Sequence, residues 1–149
     1  MRMDPAENPP ARLRRLPSRL LNQNAAHAHR AVARALGEFR THHFALLAAV
    51  EERGPSSQAA LGRACGMDRS DVVAAVNHLA EKGLVRREPA PHDRRSNVIT
   101  LTAEGCRTLH ELDERVRRTQ DEIFAALSPD EREQLTDLLA RVLDHHSGA

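Results

Sequence analysis

The stretch that decides the fold is Asp93-Arg94-Arg95-Ser96-Asn97-Val98-Ile99-Thr100-Leu101-Thr102-Ala103-Glu104-Gly105. Its middle part, Asn97 to Leu101, is rich in β-branched and aliphatic residues and predicts a half-buried β-strand. Thr102 is a good N-cap residue, so a helix should begin directly after the strand. Upstream, Leu84 to Glu88 predicts the partner strand. The stretch therefore predicts a β-hairpin that runs straight into a long helix.

The loop between the two predicted strands, Pro89 to Ser96, is basic. Such a loop at the tip of a hairpin suits a phosphate backbone or a narrow minor groove, whose negative potential attracts arginine. Asp93 stands two residues before Arg95 and is expected to hold its guanidinium by charge-assisted hydrogen bonds. The alternative is a solvated tip with a surface ion pair, which would contribute little. The predicted nucleic-acid contacts of the hairpin are Arg86, His92, Asp93, Arg94 and Arg95.

A helix-turn-helix pattern precedes the hairpin, from Ser56 to Gly83. It predicts a helix over residues 58–65, a tight turn at Gly66, and a second helix that begins after the cap residue Asp68. The inward-facing residues should be Leu61 and Ala64 in the first helix and Val72, Val76, Leu79 and Ala80 in the second.

The outer face of the second helix is a candidate for reading a major groove. Arg69 can reach a guanine edge or a phosphate, Asn77 can reach adenine, and the small Ala74 permits close approach. The alternative is a helical hairpin that binds protein or nothing. The candidate DNA contacts in this helix are Asp68, Arg69, Ser70, Asp71, Val73, Ala74, Asn77 and His78. At the start of the preceding helix Ser56 or Ser57 serves as the cap, and the candidate backbone contacts are Ser56, Ser57 and Gln58.

Helices are predicted on both sides of this region. A first helix spans residues 11–36, beginning or kinking at Pro17, and a second spans 41–53 with Thr41 as its cap. After the hairpin, a helix from Thr102 to about Ala126 has an apolar seam, and Ser128-Pro129-Asp130-Glu131 forms a full capping box for a last helix. A seam this long has too little of its own chain to cover it, which predicts a partner helix from an identical chain.

Composition limits the class of protein. With 149 residues, 29% of them charged and 2% aromatic, the chain suits one domain of packed helices. Residues 1–35 carry seven arginines against two acidic residues, whereas residues 103–149 carry eleven acidic against six basic residues. The positive side would face a polyanion. No apolar run is long enough for a membrane span, no signal peptide is apparent and there are two cysteines, so we expect a cytoplasmic protein.

These motifs together resemble a known family. Residues 93–105 closely resemble the signature of the multiple-antibiotic-resistance regulator (MarR) family: Asp-x-Arg, a short spacer, alternating aliphatic residues, then Thr-x-x-Gly. Residues 79–87 are similar to the family's junction between recognition helix and wing, and the helix order matches over residues 11–146. The resemblance implies a winged helix-turn-helix dimer whose recognition helices enter successive major grooves of a palindromic site.

The resemblance also implies roles for individual residues. Arg95 would enter the minor groove, braced by Asp93, and Arg94 would lie nearer to phosphate. Many members of the family are repressors released by a small ligand bound between the DNA-binding lobe and the dimer helices. On that layout the ligand pocket would be flanked by Arg30, His43, Phe44 and His110. Other members sense peroxide through a cysteine in the first helix, where this chain has none.

Metal-binding and enzymatic functions are weaker alternatives. Cys106 and His110 are four residues apart on one helix face, and His42 or His43 could complete a metal site. However, the sequence contains no Cys-x-x-Cys or His-Glu-x-x-His pattern, so we predict no metal or other cofactor and keep a zinc-sensing regulator as a lesser alternative. No nucleophile elbow, phosphate loop or carboxylate pair appears, so we predict that the chain is not an enzyme.

The predicted fold is mainly α with a small β-hairpin wing: a winged helix-turn-helix DNA-binding lobe plus a helical dimerisation region. A disordered tail at residues 1–10 precedes a single domain at 11–149, with the lobe at 37–101 and dimerisation helices at 11–36 and 102–146. The predicted function is a homodimeric transcriptional regulator, a repressor, that binds double-stranded DNA at a pseudo-palindromic operator and responds to a small-molecule effector. The alternative is a winged-helix module that binds protein, or DNA without sequence choice.

Overall fold

The structure, a computed structural model, describes residues 8–148 and confirms a mainly helical chain with one antiparallel hairpin. Residues 1–7 of the predicted tail lie outside the described residues, and residues 8–10 lead into the first helix. The elements in chain order are α1 (Ala11–Arg14), α2 (Pro17–Leu36), α3 (Thr41–Arg53), α4 (Gln58–Cys65), α5 (Arg69–Glu81), β1 (Val85–Ala90), β2 (Asp93–Leu101), α6 (Ala103–Ile123) and α7 (Pro129–Ser147).

Two predicted helix starts are refined by the structure. The predicted first helix is two helices, because Pro17 begins α2 and the preceding Leu16 is extended. The prediction of Thr41 as a cap is wrong. Arg40 takes that position, and its backbone N–H donates to Nδ1 of His43 at 2.9 Å. The N3 side chain, His43, thus satisfies the backbone N–H of the cap residue, which is the reverse of the bond in which a cap hydroxyl accepts from the helix backbone.

The core lies between α3, α4, α5, the base of the hairpin and the first half of α6. Ala64, predicted to face inward, is exposed, and Ala80 is only half-buried, whereas Ala75 is buried. The α4 and α5 helices are short, so a small rotation about the helix axis exchanges which alanine meets the core. The fully or nearly buried apolar residues are Leu36, Leu46, Leu47, Val50, Leu61, Val72, Ala75, Val76, Leu79, Leu84, Val85, Ile99, Leu109 and Leu112.

The predicted apolar seam of α6 is partly covered by other segments of the same chain. Leu109 and Leu112 of α6 are buried in the core, so the expectation that this seam lacks cover is wrong for its first half. The last helix, α7, has no buried residue. No described helix is long and apolar enough to cross a membrane. The large apolar side chains left exposed lie on α1, α2 and α7 and between α1 and α2: Leu13, Leu16, Leu20, Leu21, Leu138, Leu139, Val142 and Leu143.

One hydroxyl joins the end of α5, the root of the wing and the start of α6. Thr102 Oγ1 donates to the carbonyl of Gly83 at 2.7 Å and accepts from the backbone N–H of Gly105 at 2.9 Å. The backbone N–H of Thr102 donates to the carbonyl of Leu84 at 3.1 Å. A Cβ atom at Gly105 would lie 2.0 Å from that same Leu84 oxygen. This junction therefore requires glycine for close backbone approach.

Candidate nucleic-acid interface

The first turn of α5 is held by Asp68. Its Oδ1 accepts from the backbone N–H of Asp71 at 2.9 Å and from the Ser70 hydroxyl at 2.8 Å. The hydrogen bond from the Asp71 backbone, followed by that from the Ser70 side chain, holds the pKa of Asp68 below its usual value. Asp68 and Ser70 thus fix the helix start, which leaves Arg69 as the exposed long side chain of this turn.

The start of α4 is capped by the second of the two predicted serines. Ser57 Oγ accepts from the backbone N–H of Ala60 at 3.1 Å. Ser56 instead pairs through its backbone with Ile99 of β2, and its hydroxyl donates to the carbonyl of Gly54. Both serines are therefore structural in this state, and Gln58 is the member of this predicted set that lines the cleft described below.

The wing differs from the predicted hairpin in the length of its loop. The strands continue to Ala90 and from Asp93, so the turn contains only Pro91 and His92. The predicted loop of eight residues was too long because propensity disfavours proline and charged residues in strands. Pro89 pairs with Asn97 and Ala90 with Asp93, so residues 94–96 form a bulge. A bulge turns Arg94 and Arg95 away from regular pairing at the tip of the wing.

Asp93 braces the backbone of this bulge and not the guanidinium predicted from the sequence. Its Oδ1 accepts from the backbone N–H of Arg95 at 3.0 Å, and its Oδ2 accepts from the Ser96 hydroxyl at 2.9 Å. These two bonds hold the pKa of Asp93 below its usual value. The described ion pairs do not include one between Asp93 and Arg95. The Arg95 side chain is exposed and remains available to a ligand.

An open cleft of about 660 Å³ brings the two halves of the predicted interface together. It lies between the start of α4, the first turns of α5 and the wing. Three arginines, Arg69, Arg87 and Arg95, line it, and the lining residues include no carboxylate. A cleft lined by arginines and by no carboxylate favours an anionic ligand. The remaining lining residues are Gln58, Ala59, Val73, Ser96 and Asn97.

Arg87 is a residue that the sequence interpretation missed. Its Nη2 donates to the Oδ1 of Asn77, so the wing and the outer face of α5 are joined by a side-chain contact. Strand alternation could have found it, because Arg87 is two residues from the buried Val85 and thus points to the same side of β1. The predicted contact Arg86 alternates to the other side. Both are exposed.

His78 was predicted on the outer face of α5 or at its margins, and the structure places it at a margin, half-buried against α3. Its ring stacks on that of His43 with centroids 4.4 Å apart and an angle of 13° between the planes. Its Nε2 atom is buried and has no hydrogen-bond partner among the described residues. The Phe39 ring meets both histidines edge-on. His78 is therefore part of the packing between α3 and α5.

The chain is similar to known transcriptional regulators in sequence and in fold. A sequence model described as the MarR family matches residues 39–96, which run from just before α3 to the bulge of the wing. A curated protein from Thauera aromatica, a putative transcriptional regulatory protein for the hcr operon, is 36% identical over 99 residues. That match covers 66% of this chain and 60% of the relative.

The chain therefore resembles MarR-family regulators in sequence over residues 39–96 and in fold over most of its length.

Solved structures of transcriptional regulators share its fold. The PcaV transcriptional regulator from Streptomyces coelicolor, in complex with its natural ligand, has a TM-score of 0.75 at 29% identity, covering 89% of this chain and 94% of that one. The transcriptional repressor CouR, bound to a 23-mer DNA duplex, has a TM-score of 0.82 at 24% identity, covering 92% and 99%. The predicted MarR-type winged helix-turn-helix fold is thus confirmed.

The ligand pocket expected from the MarR-family layout stays a prediction, and the structure places its four residues in separate environments. His43 lies in the stack with His78, and Phe44 is half-buried beside the core. His110 contacts Glu51, and Arg30 contacts His27 of its own helix. The four side chains therefore do not form one described contact cluster.

The stacked histidines predict a pH dependence of folding. Burial, followed by the charges of His78, Arg40, His42 and Lys82, lowers the pKa of His43 from 6.5 to about 4. Since the folded state disfavours the protonated ring, His43 contributes its full stability above pH 6.5. We expect the free energy of unfolding to fall by roughly 2 kcal/mol as the pH drops from 7.5 to 4.5.

Urea unfolding at a series of pH values measures this dependence. In His43→Gln the free energy of unfolding should change little between pH 6.5 and 4.5. In His29→Gln, at an exposed position on α2, it should fall as in the native chain. An unaltered slope in His43→Gln would assign the dependence to another group.

Proposed function

We propose that this chain is a homodimeric, sequence-specific DNA-binding transcriptional regulator that acts as a repressor at a pseudo-palindromic operator. The observation that supports the proposal most is the cleft where Arg69, Arg87 and Arg95 meet without a carboxylate. This cleft lies between the exposed start of a recognition helix and the tip of a wing, two elements that enter adjacent grooves of duplex DNA.

In this proposal α5 reads the major groove. Arg69 stands at its start, Val73 lines the cleft, and Ala74 is exposed and small enough for the helix to approach base edges. Asn77, held by Arg87, would read a base only if that contact opened on binding. Asp68 and Ser70 set the helix start instead of contacting DNA, because their polar atoms bond to each other and to the backbone.

The wing supplies the minor-groove and phosphate contacts. The bulge presents Arg94 and Arg95, and the Asp93 carboxylate keeps the backbone of Arg95 in place beneath them. A braced backbone reduces the conformational entropy that Arg95 loses on entering a narrow groove. His92 in the turn and Arg86 on β1 are both exposed and would lie nearer to the phosphates.

Dimerisation would use the helices outside the lobe of residues 37–101. The segments predicted to dimerise carry the exposed leucines before and within α2 and the apolar face of α7. No residue of α7 is buried by contacts within its own chain. Two copies related by a two-fold axis would place their recognition helices in half-sites about one helical turn apart. Acidic residues outnumber basic residues in 103–149, and this negative charge would keep the dimer region away from the phosphates.

The effector remains part of the proposal. The PcaV structure holds that protein's natural ligand, and this chain shares its fold at 29% identity. By analogy, a small molecule bound between the lobe and the arm, α6 with α7, would change the spacing of the two recognition helices. Thermal shift against a panel of small aromatic acids, with the operator complex as a second readout, would identify it.

Loss of the Arg95 side chain is expected to weaken operator binding about 10- to 100-fold, because a groove contact of this kind contributes about 1–3 kcal/mol. Genome-wide footprints of the bound protein would supply the operator, and fluorescence anisotropy at fixed salt would compare Arg95→Ala with the native chain. Arg117→Ala removes an equal charge from α6, where Arg117 pairs with Asp113, and is the matched control.

The second candidate function, DNA binding without sequence choice, is tested in the same assay. Operator binding by a specific regulator should survive a roughly 10³-fold excess of unrelated duplex. Equal competition by operator and unrelated duplex would support the second candidate. Equal affinity of Arg95→Ala and Arg117→Ala would instead contradict the assignment of the wing.

A further inference from the structure

Three metal-ligating side chains converge between α3 and α6, away from the cleft of the proposed interface. Glu51 comes from the last turns of α3, and Cys106 and His110 are one turn apart on α6. One ligand atom from each of the three lies within 4.8 Å of the others. The spacing in the sequence pairs Cys106 with His110, with His42 or His43 as the candidate third ligand. The structure supplies Glu51 in their place.

We propose that Glu51, Cys106 and His110 form a binding site for Zn²⁺ or a divalent ion of similar softness. Thiolate, imidazole and carboxylate are the three ligand types that zinc accepts, and such a mixed set does not suit Mg²⁺ or Ca²⁺, which prefer oxygen alone. With three protein ligands, the fourth tetrahedral position is left for water or for a group brought by a partner.

The distances fit this coordination. Ligand atoms around a tetrahedral zinc ion lie about 3.3–3.6 Å apart, given metal–ligand bonds of about 2.0–2.3 Å. Glu51 Oε2 is 3.1 Å from Nε2 of His110 and 3.7 Å from Sγ of Cys106. Both distances from Glu51 are within a few tenths of an ångström of that range, and the ligand atoms of Cys106 and His110 lie within 4.8 Å of each other, so side-chain rotation would be needed to bring this third pair onto one ion.

The site is accessible and its ligands have freedom to adjust. The Glu51 and His110 side chains are 44% and 69% exposed, and Cys106 is half-buried. Cys106 must lose its proton to bind, so binding releases a proton and strengthens as the pH rises. Without metal, the same residues form a His110–Glu51 contact and a weak hydrogen bond from the thiol to the carboxylate.

A bound ion would join two parts of the molecule that are far apart in sequence. Glu51 belongs to the lobe and Cys106 with His110 to the start of the arm, so the ion would link α3 to α6 in their present arrangement. A ligand that binds the folded state and not the unfolded state stabilises the folded state by mass action. At a free metal concentration 100 times the dissociation constant, we expect the Tm to rise by about 5–10 °C.

Co²⁺ is the probe for the test, because a cobalt–thiolate bond gives a near-ultraviolet charge-transfer band that a carboxylate or imidazole site lacks. Titration of the reduced full-length chain should produce the band with a dissociation constant in the micromolar range or below, and Zn²⁺ should remove it by competition. Cys106→Ser should abolish the band, and Glu51→Gln and His110→Asn should each weaken Co²⁺ binding at least 10-fold.

Two control variants separate this site from other metal-binding groups. Cys65→Ser removes the only other cysteine and should leave the titration unchanged. The Cys65 thiol donates a hydrogen bond to the carbonyl of Ala45. A double change of His145 and His146 to alanine removes the adjacent histidine pair near the end of α7 and should likewise have no effect. Absence of the band in the native chain, its loss in either control, or unchanged affinity in Glu51→Gln would overturn the proposal. None of these readouts depends on DNA binding.

Discussion

A chain carrying Leu139→Glu together with Leu143→Glu is expected to be monomeric and to bind operator at least roughly 10³-fold more weakly. The two leucines are 40% and 65% exposed on α7, which has no buried residue. In a symmetric dimer each change occurs twice, so four carboxylates would enter one apolar interface, where unpaired charges are strongly disfavoured.

The loss of DNA affinity follows from the loss of the dimer. When two half-sites are bound by linked lobes, the second binding step is intramolecular and has an effective concentration in the millimolar range. Separate lobes lose that advantage. Sedimentation equilibrium measures the mass, and anisotropy with the full operator and with a single half-site measures the two affinities.

Ala140→Glu is the matched control for this prediction. Ala140 is exposed on the same helix, and its position on the helical wheel is away from the stripe of Leu138, Leu139, Val142 and Leu143. The control should remain dimeric. A double variant that is still a dimer with native affinity would show that the apolar face of α7 does not hold the two chains together.

Gly105→Ala is expected to lower the free energy of unfolding by about 3 kcal/mol or more. An added Cβ would lie 2.0 Å from the carbonyl oxygen and 2.9 Å from the carbonyl carbon of Leu84, and 2.9 Å from a methyl group of Leu101. The first two atoms are backbone, so the clash can be relieved only if α6 moves away from the wing. Such a shift would also disturb the hydrogen bonds of Thr102.

Two other glycines make this a graded series in thermal and urea unfolding. A Cβ at Gly62 would meet the Val72 side chain at 3.1 Å and the Met67 carbonyl oxygen at 3.2 Å, so Gly62→Ala should cost about 1–2 kcal/mol. At Gly148 the nearest atom is at 3.4 Å, and alanine should be nearly neutral. A Gly105→Ala chain as stable as Gly148→Ala would contradict the close approach at this junction.

The order and ends of most elements could be predicted from the sequence because the signals are local. Ser128 and Glu131 form the predicted capping box, with hydrogen bonds of 2.9 and 3.2 Å in the two directions. Asp68 and Thr102 cap the helices that they were expected to cap. Each of these capping hydrogen bonds joins residues three positions apart, so the local sequence pattern contains both partners of the cap.

Several of the errors arose where contacts cross between distant segments, whereas those at Thr41 and Asp93 concern local bonds. The inward turn of His78 depends on His43, 35 positions earlier, and periodicity around α5 alone cannot show it. The contact between Arg87 and Asn77 depends on how the wing packs against α5, and the convergence of Glu51 with Cys106 depends on how α3 packs against α6. Asp93 was expected to hold the Arg95 guanidinium, but its partner in the structure is the Arg95 backbone N–H, which has no signature in side-chain spacing.

The junction at Thr102 determines where the molecule can flex. Since one hydroxyl and a glycine without room for a side chain tie the end of α5 and the root of the wing to α6, we expect these parts to move as one rigid unit. A change in the distance between two recognition helices therefore needs a pivot elsewhere. Residues 124–128 connect α6 to α7 without regular helix, so we expect the pivot to lie there. Substitutions that loosen this pivot should alter the operator spacing that a dimer tolerates while leaving the contacts within each half-site unchanged.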